Sequence, residues 1–199
     1  MKRRMVLYFG SFNPVHRGHI ALAEWVVGHN LGDEVVLVVS PHNPLKDEHG
    51  LAPELNRFEM CELACAASAY PDRIKASAIE FLLKKPSYTI NTIRYLEQNC
   101  GSDMSFSILM GADNIDNFDK WYRYEDILAA CDILVYPRRD CGNTDMRFAA
   151  SGKVHFLADA PLFDCSATEI RQMISAGGDI AAKVPPAITR YIAEHGLYK

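Results

Sequence analysis

The clearest chemical signal in this sequence is the segment 10–19, which reads GSFNPVHRGH and directly follows the apolar run MVLYF. A buried strand that leads through a Gly, Asn and Pro turn into a helix leaves backbone N–H groups unpaired at the helix N-terminus, where the helix dipole favours negative charge. His16 and His19 lie beside that anion site, and an imidazole can donate a hydrogen bond to a phosphoryl oxygen. Gly10 and Gly18 allow the backbone to come close to a phosphate. The segment therefore predicts a binding site for nucleotide phosphates.

Two other interpretations of the histidines are a zinc site and a pair of surface side chains. Zinc requires a third protein ligand, and no Cys or His motif supplies one at a usual spacing. The neighbouring glycines and Pro14 make a purely surface role less attractive. The six cysteines are dispersed without a C-x-x-C pair, and Cys61 and Cys65 would share one helix face as small core residues.

The segment 166–171, SATEIR, has two interpretations. In the first, Ser166 or Thr168 caps a helix together with Glu169, and Arg171 is solvated. In the second, the same hydroxyls and Arg171 bind a polyphosphate at this helix N-terminus. Both remain open at this point.

Other candidates follow further apolar runs. Asp113, in the segment GADN, is placed to bind a ribose hydroxyl, to cap the next helix, or to do both. Trp121 is a core residue or stacks on a flat ring. The hydroxyls of the segment 86–89, PSYT, cap a helix or contact a ligand. Lys46 is either an exposed loop lysine or a positive charge that reaches the phosphates.

These residues must be positioned by alternating strands and helices. Strands are predicted at 5–9, 34–40, 74–80, 105–110, 133–136 and 154–157, and helices at 18–29, 54–68, 89–98, 124–130, 168–175 and 186–194. Continuously apolar strands such as VVLVV are typical of a sheet covered on both faces. We therefore expect an α/β fold with a doubly wound, mostly parallel sheet, whose ligands bind beyond the carboxyl ends of the strands.

Length and composition restrict the possible partners. A chain of 199 residues fits one domain, 1–199, with a helical C-terminal part from about residue 166. The net charge of -4 argues against nucleic acid as a partner. The apolar run near residue 5 is too short for a signal peptide or a membrane span, which favours a cytoplasmic protein. A homo-oligomer is left open.

Taken together, these motifs resemble the nucleotidyltransferase superfamily with the H-x-G-H signature, here HRGH at 16–19, and the S-x-T-x-I-R signature, here SATEIR at 166–171. Within it the chain is most similar to the bacterial nicotinate mononucleotide adenylyltransferases. The motifs follow in family order along nearly the whole chain. The chain departs from the family pattern in three places: Phe9 stands where a glycine is usual, Asn13 stands where Asp is also common, and the loop after the second strand ends NPLK at 43–46 where the family often has Pro-x-His followed by Lys or Arg.

The resemblance implies a Rossmann-like fold and transfer of AMP from ATP to nicotinate mononucleotide, with Mg²⁺ bound through the ATP phosphates and no metal held by the protein. It assigns catalysis to His16, His19 and Arg171; ATP binding to Gly10, Ser11, Phe12, Gly18, Lys46, Ser166, Thr168 and Ile170; and substrate binding to Thr89, Asp113, Trp121 and Tyr122.

Several alternatives to this function are also considered. The same chemistry on nicotinamide mononucleotide or phosphopantetheine is the nearest. A class I aminoacyl-tRNA synthetase is more distant, because the chain is short and lacks a lysine-rich second signature. A nicotinamide-dependent oxidoreductase would need G-x-G-x-x-G after the first strand, which the sequence lacks there. A non-catalytic nucleotide sensor would keep the fold without the chemistry.

Overall fold

Six parallel strands form one sheet in the computed structural model, which describes residues 2–41, 50–138 and 147–199. The strands run in the order β3-β2-β1-β4-β5-β6, and each neighbouring pair is parallel. Their bounds are β1 Arg3–Gly10, β2 Glu34–Val39, β3 Ile74–Ser77, β4 Met104–Gly111, β5 Asp132–Tyr136 and β6 Val154–Phe156. The expected α/β fold with a doubly wound parallel sheet is confirmed.

The helices pack on both faces of the sheet. Their bounds are α1 Arg17–Gly28, α2 Glu54–Ala66, α3 Ile79–Leu82, α4 Thr89–Asn99, α5 Ala112–Ile115, α6 Tyr124–Ala130, α7 Ala167–Ser175 and α8 Pro186–Glu194. Successive side chains of β1 point to opposite faces: Val6 and Tyr8 join the core under α1, α2 and α8, whereas Leu7 joins the core under α4 and α6. A strand buried on both faces must be apolar throughout, which explains the unbroken apolar runs.

The six predicted helices are present, with bounds within two residues of those expected. Cys61 and Cys65 are both buried in the core, as predicted from their spacing on α2. In the described part of the chain, no helix is long and apolar enough to cross a membrane. The assignment of 1–199 to one domain stays a prediction.

One strand prediction is wrong at its end. The strand expected over 74–80 stops at Ser77, where its pairing with Val38 ends. The hydroxyl of Ser77 accepts a hydrogen bond from the backbone N–H of Ile79 at 3.3 Å, and the chain turns into α3. Glu80, expected on the strand, therefore lies on a short helix and is buried. The four-residue helices α3 and α5 have no periodic pattern long enough to be found in the sequence.

The topological switch point lies at β1, which has β2 on one side and β4 on the other. Connections from neighbouring strands leave in opposite directions there, so a crevice opens beyond their carboxyl ends. The turn after β1, the helix α5 after β4 and the segment after β5 all meet at this edge of the sheet.

Candidate functional site

The turn after β1 has an unusual backbone that packing holds in place. Phe12 has a φ of 45° and is 3% exposed. Its ring makes edge contacts with Tyr8 at 5.7 Å and with His19 at 5.0 Å between ring centroids. A Cβ added to Gly10 would lie 3.0 Å from the Cζ atom of Phe12. A side chain at position 10 would therefore press on the Phe12 ring, which folds back over Gly10, and the left-handed conformation of Phe12 is held by the surrounding core.

His16 and His19 form a stacked pair at the N-terminus of α1. Their ring centroids are 3.6 Å apart with an interplanar angle of 23°. The backbone N–H of His16, the N-cap residue, donates to Nδ1 of His19 at 3.2 Å. A neutral His19 therefore carries its proton on Nε2, so Nε2 is the donor atom of this ring. A Cβ on Gly18 would lie 3.2 Å from Nδ1 of His16, so glycine makes room for this ring.

The imidazole of His16 is held neutral by its surroundings. Burial, followed by the positive charges of Arg138 and Lys183, lowers the pKa of His16 to about 4. Within the described residues, Nδ1 of His16 is buried without a hydrogen-bond partner. A buried ring atom without a partner, next to an anion site, is suited to a ligand that brings its own hydrogen-bonding group.

This burial predicts a pH-dependent stability. Between the unfolded pKa of 6.5 and the folded value of about 4, the unfolded state binds more protons, so stability is complete above pH 6.5 and falls as the pH drops toward 4. The loss attributable to His16 is about 3 kcal/mol at most. Urea unfolding at about pH 4 and about pH 7 should show this difference in the wild type and a smaller one in His16→Asn. His29→Asn is the control, because His29 is exposed. If His16→Asn loses as much stability as the wild type between pH 7 and pH 4, His16 is not the group responsible.

The second helix N-terminus, that of α7, faces the first turn. Ser166 caps it by accepting a hydrogen bond from the backbone N–H of Glu169 at 3.1 Å, so the cap predicted by the first interpretation is confirmed, whereas its solvated Arg171 is wrong. Arg171 donates from Nη1 to the carbonyl oxygen of Asn13 at 2.8 Å and from Nη2 to the hydroxyl of Thr168 at 3.2 Å. These contacts hold the SATEIR segment against the segment that contains HRGH.

A cavity of about 300 Å³ lies between these two helix ends. His16, Gly18, His19 and Ser166 are part of its wall. The chain from 161 to 165 forms another part of the wall and includes the partly exposed Leu162 and Phe163. The cavity therefore combines polar groups at two helix N-termini with an apolar side.

A larger cavity of about 700 Å³ opens beside it, beyond the ends of β1 and β4. It contains every residue that the sequence assigned to substrate binding, together with Gly10; these are Thr89, Asp113, Trp121 and Tyr122. Tyr8 and Tyr136 line both cavities, and their hydroxyl oxygens are 3.1 Å apart. The two cavities therefore adjoin at this pair, and two ligands bound in them would meet there.

Asp113 and the aromatic residues have defined neighbours. The N-cap of α5 is Gly111, so the alternative in which Asp113 caps this helix is wrong. Instead, an Asp113 carboxylate oxygen lies 3.3 Å from Nε of Arg138. Trp121 packs on Phe118 with ring centroids 5.5 Å apart, and Tyr122 is 54% exposed.

Some predicted site residues line neither cavity. The side chains of Phe12 and Ile170 are buried in the core, so only their backbones are available to a ligand. Ser11, Thr168 and Arg171 lie at the first turn and on α7 without reaching the walls of the two cavities. Lys46 lies outside the described residues.

Four functional candidates in the structure were not predicted from the sequence: Arg57, Glu80, Lys120 and Tyr136. Glu80, Lys120 and Tyr136 line the larger cavity, and Arg57 lies buried behind the first turn. Tyr136 is the last residue of β5 and Lys120 lies in the segment after β4 and α5, so the rule of ligands at strand carboxyl ends could have selected them. Glu80 accepts a hydrogen bond from the hydroxyl of Thr92 at 2.9 Å, and burial raises its pKa. Nothing in the local sequence signals the burial of Glu80 or Arg57.

Known proteins similar to this chain belong to one family of nucleotidyltransferases. The cytidylyltransferase-like family model matches residues 7–173. A protein of Flavobacterium psychrophilum named as a probable nicotinate-nucleotide adenylyltransferase is 39% identical over 193 residues, which cover 97% of each chain. A protein of Bacteroides fragilis with the same name is 38% identical over 193 residues, covering 97% of this chain and 92% of the relative.

Solved structures show the same fold. The nicotinic acid mononucleotide adenylyltransferase of Plasmodium falciparum, complexed with NaAD, superposes with a TM-score of 0.80 over 98% of this chain and 97% of that one, at 19% identity. A structure from Vibrio parahaemolyticus, described as a nicotinate-nucleotide adenylyltransferase, has a TM-score of 0.71 at 18% identity over 98% and 95% of the two chains.

Proposed function

Since the chain belongs to the cytidylyltransferase-like family, and within it to the nicotinate-nucleotide adenylyltransferases, we propose that it transfers AMP from ATP to nicotinate mononucleotide in NAD biosynthesis. The products are deamido-NAD and pyrophosphate. The observation that carries this proposal is the pair of adjoining cavities. One has two stacked histidines at a helix N-terminus, and the other has aromatic residues and a carboxylate. A reaction between two nucleotides needs two such sites that meet at one wall.

The reaction is an in-line attack by a 5′-phosphate oxygen of the mononucleotide on the α-phosphorus of ATP. The nucleophile is already anionic, so no general base is required and no covalent intermediate forms. Catalysis then depends on holding both nucleotides in line and on stabilising the negative charge that develops on the phosphoryl oxygens and pyrophosphate.

ATP occupies the smaller cavity and the first turn in this proposal. The backbone of Gly10 and Ser11 and the helix N-terminus at His16 bind the phosphates. His19 Nε2 donates to the transferring phosphoryl group, because its Nδ1 already accepts a hydrogen bond from the backbone. Arg171 with the hydroxyls of Ser166 and Thr168 binds the leaving pyrophosphate.

The mononucleotide occupies the larger cavity. Asp113, which the Arg138 contact holds in place, accepts a hydrogen bond from a ribose hydroxyl. Trp121 stacks on the pyridine ring, and Thr89 and the backbone at Tyr122 contact the ring carboxylate. All four residues lie in the wall of this one cavity.

A divalent metal ion is typical of this class of enzyme, and we propose Mg²⁺ carried by the ATP phosphates. Among the residues that the structure describes, no three His, Cys, Asp or Glu side chains form a group suited to a metal. Asp113 is paired with Arg138 and Glu80 is buried, so the phosphate oxygens are the donors best suited to the ion. The ion would neutralise phosphate charge during the transfer.

The test of this function is pyrophosphate release from ATP and Mg²⁺ with nicotinate mononucleotide, nicotinamide mononucleotide or phosphopantetheine as the acceptor. A strong preference for nicotinate mononucleotide is expected. Equal use of both pyridine nucleotides would support the proposed AMP transfer but show that the enzyme accepts the acid and the amide alike. No release with any acceptor would contradict the proposed reaction.

Replacing Trp121 by alanine should raise KM for nicotinate mononucleotide about tenfold, which is the scale of one lost aromatic stacking contact. KM for ATP should change little, because Trp121 lines only the larger cavity. Trp121→Phe should recover part of the affinity. Steady-state kinetics with each substrate varied in turn measures both constants, and an equal rise in the two KM values would contradict ring stacking.

A further inference from the structure

The larger cavity contains one cationic side chain among the described residues, and sequence analysis gave it no role. Its wall includes the carboxylates of Glu80 and Asp113 and the ammonium group of Lys120. Lys120 ends a short 3-10 turn, Phe118–Lys120, and immediately precedes Trp121 in the same wall. A positive side chain therefore lies in the cavity wall next in sequence to the aromatic residue that the proposed function assigns to the ring.

The charge of Lys120 differs from that of its neighbours because no carboxylate neutralises it. Its Nζ donates to the side-chain oxygen of Asn117 at 2.6 Å, and in the described parts of the chain this neutral amide is its one hydrogen-bond partner. Cations nearby have acidic partners: Arg138 pairs with Asp113, and Arg147 pairs with Asp119. A cation without a counter-charge at a cavity wall is suited to an anion supplied by the ligand.

The two acidic residues of this wall, Glu80 and Asp113, lie on different elements from Lys120. Glu80 lies on α3, on the β3 side of β1, and is hydrogen-bonded to Thr92 of α4. Asp113 lies on α5, and its charge is balanced by Arg138. Lys120 follows α5 on the β4 side. An anionic ring substituent is therefore favoured at the Lys120 and Trp121 end of the cavity and disfavoured beside Glu80.

We propose that Lys120 determines specificity for an acidic over an amidated pyridine ring by pairing with the ring carboxylate of the acceptor. This inference rests on the proposed function, because it takes the occupant of the larger cavity to be a pyridine mononucleotide. Nicotinate and nicotinamide mononucleotides differ in one negative charge at the ring. An ammonium group responds to that charge, whereas the neutral donors at Thr89 and Tyr122 respond to the change from an acceptor oxygen to an NH2 group, so removing Lys120 should weaken binding of the acid and leave binding of the amide unchanged.

The test compares the dissociation constants of nicotinate and nicotinamide mononucleotide by calorimetry, with no turnover required. In Lys120→Gln, the preference for the acid should fall about fivefold, which is the scale of one partly exposed ion pair. Lys120→Arg should retain the preference. Lys75→Gln removes the same charge from an exposed site on β3 that lines neither cavity, and it should behave as the wild type. Raising the salt concentration should weaken the preference in the wild type.

Binding and turnover together separate the two proposals. If Lys120→Gln keeps the wild-type ratio of dissociation constants, or if the wild type binds both nucleotides equally, the role of Lys120 is overturned whatever the activity. If the ratio falls as expected but no pyrophosphate is released by the wild type, Lys120 selects the ligand and the proposed reaction is wrong. Lys120 is exposed and makes one side-chain hydrogen bond, so thermal unfolding of Lys120→Gln should match the wild type.

Discussion

Replacing His19 by alanine is expected to lower kcat about a hundredfold or more, the scale of one lost donor to a developing oxyanion. The reason is the orientation of the ring. His19 Nδ1 accepts a hydrogen bond from the backbone of His16, and the ring stacks on that of His16 at 3.6 Å, so Nε2 is held as a preorganised donor. Preorganised donors contribute more in the transition state than in the ground state, so KM for ATP should change much less than kcat.

The measurement is steady-state pyrophosphate release by the wild type, His19→Ala and a control. His155→Ala serves as the control because His155 is exposed on β6 and lines neither cavity. Thermal unfolding of His19→Ala checks that the turn after β1 is intact. Turnover within about threefold of the wild type in a folded His19→Ala protein would show that this ring is not the donor.

Replacing Arg57 by methionine should have the largest effect on stability. Arg57 is 1% exposed, and its guanidinium donates to four backbone carbonyl oxygens. Two of these belong to Ser11 and Ser40, both at 2.7 Å, at the ends of β1 and β2. Methionine fills similar space but leaves the four acceptors without these donors. The bonds to Ala52 and Pro41 are fully buried, and each buried acceptor without a donor costs about 1–3 kcal/mol. We expect the free energy of unfolding to fall by about 3–5 kcal/mol in total.

Thermal and urea unfolding measure this loss, which corresponds to a Tm about 10 °C lower for a chain of this size. Arg190→Met is the matched control, because Arg190 lies on α8 and is exposed. Arg57→Lys should also be destabilised, since an ammonium group cannot reproduce the planar set of donors. A Tm within about 2 °C of the wild type in Arg57→Met would show that the four carbonyls find other donors.

Both predictions concern the turn after β1. Its histidines could be predicted from the sequence, whereas the arginine that supports it could not. The phosphate-binding character of HRGH was predicted from contiguous residues, because a helix N-terminus and its neighbouring side chains are local features. The support from Arg57 was not predicted. It comes from a helix 46 residues away from Ser11, and only the pairing of β1 with β2 brings its acceptors together.

The same distinction applies to strands and helices. Long periodic helices such as α4 and α8 were predicted within two residues, because apolar spacing and the proline at position 186 act locally. The predicted end of β3 was three residues too late. A strand ends where its pairing with the neighbouring strand ends, here at the pair Val38 and Ser77, and the sequence of β3 alone does not show where that pairing stops. Glu80 was thereby assigned to a strand, although it is buried on α3.

By itself, then, the sequence determined the alternation of strands and helices and the family resemblance, and it predicted a phosphate-binding turn at 10–19 and a helix N-terminus near Ser166. Only the tertiary structure showed which hydrogen bonds fix the turn after β1. Asn13 Oδ1 accepts hydrogen bonds from the backbone N–H of Ala52 at 3.0 Å and from the hydroxyl of Tyr198 at 2.8 Å, across 185 residues of sequence. It also placed the uncompensated Lys120 at a cavity wall. Local patterns depend on neighbours along the chain, whereas these contacts depend on strand register and sheet order, which close only when the whole chain has packed.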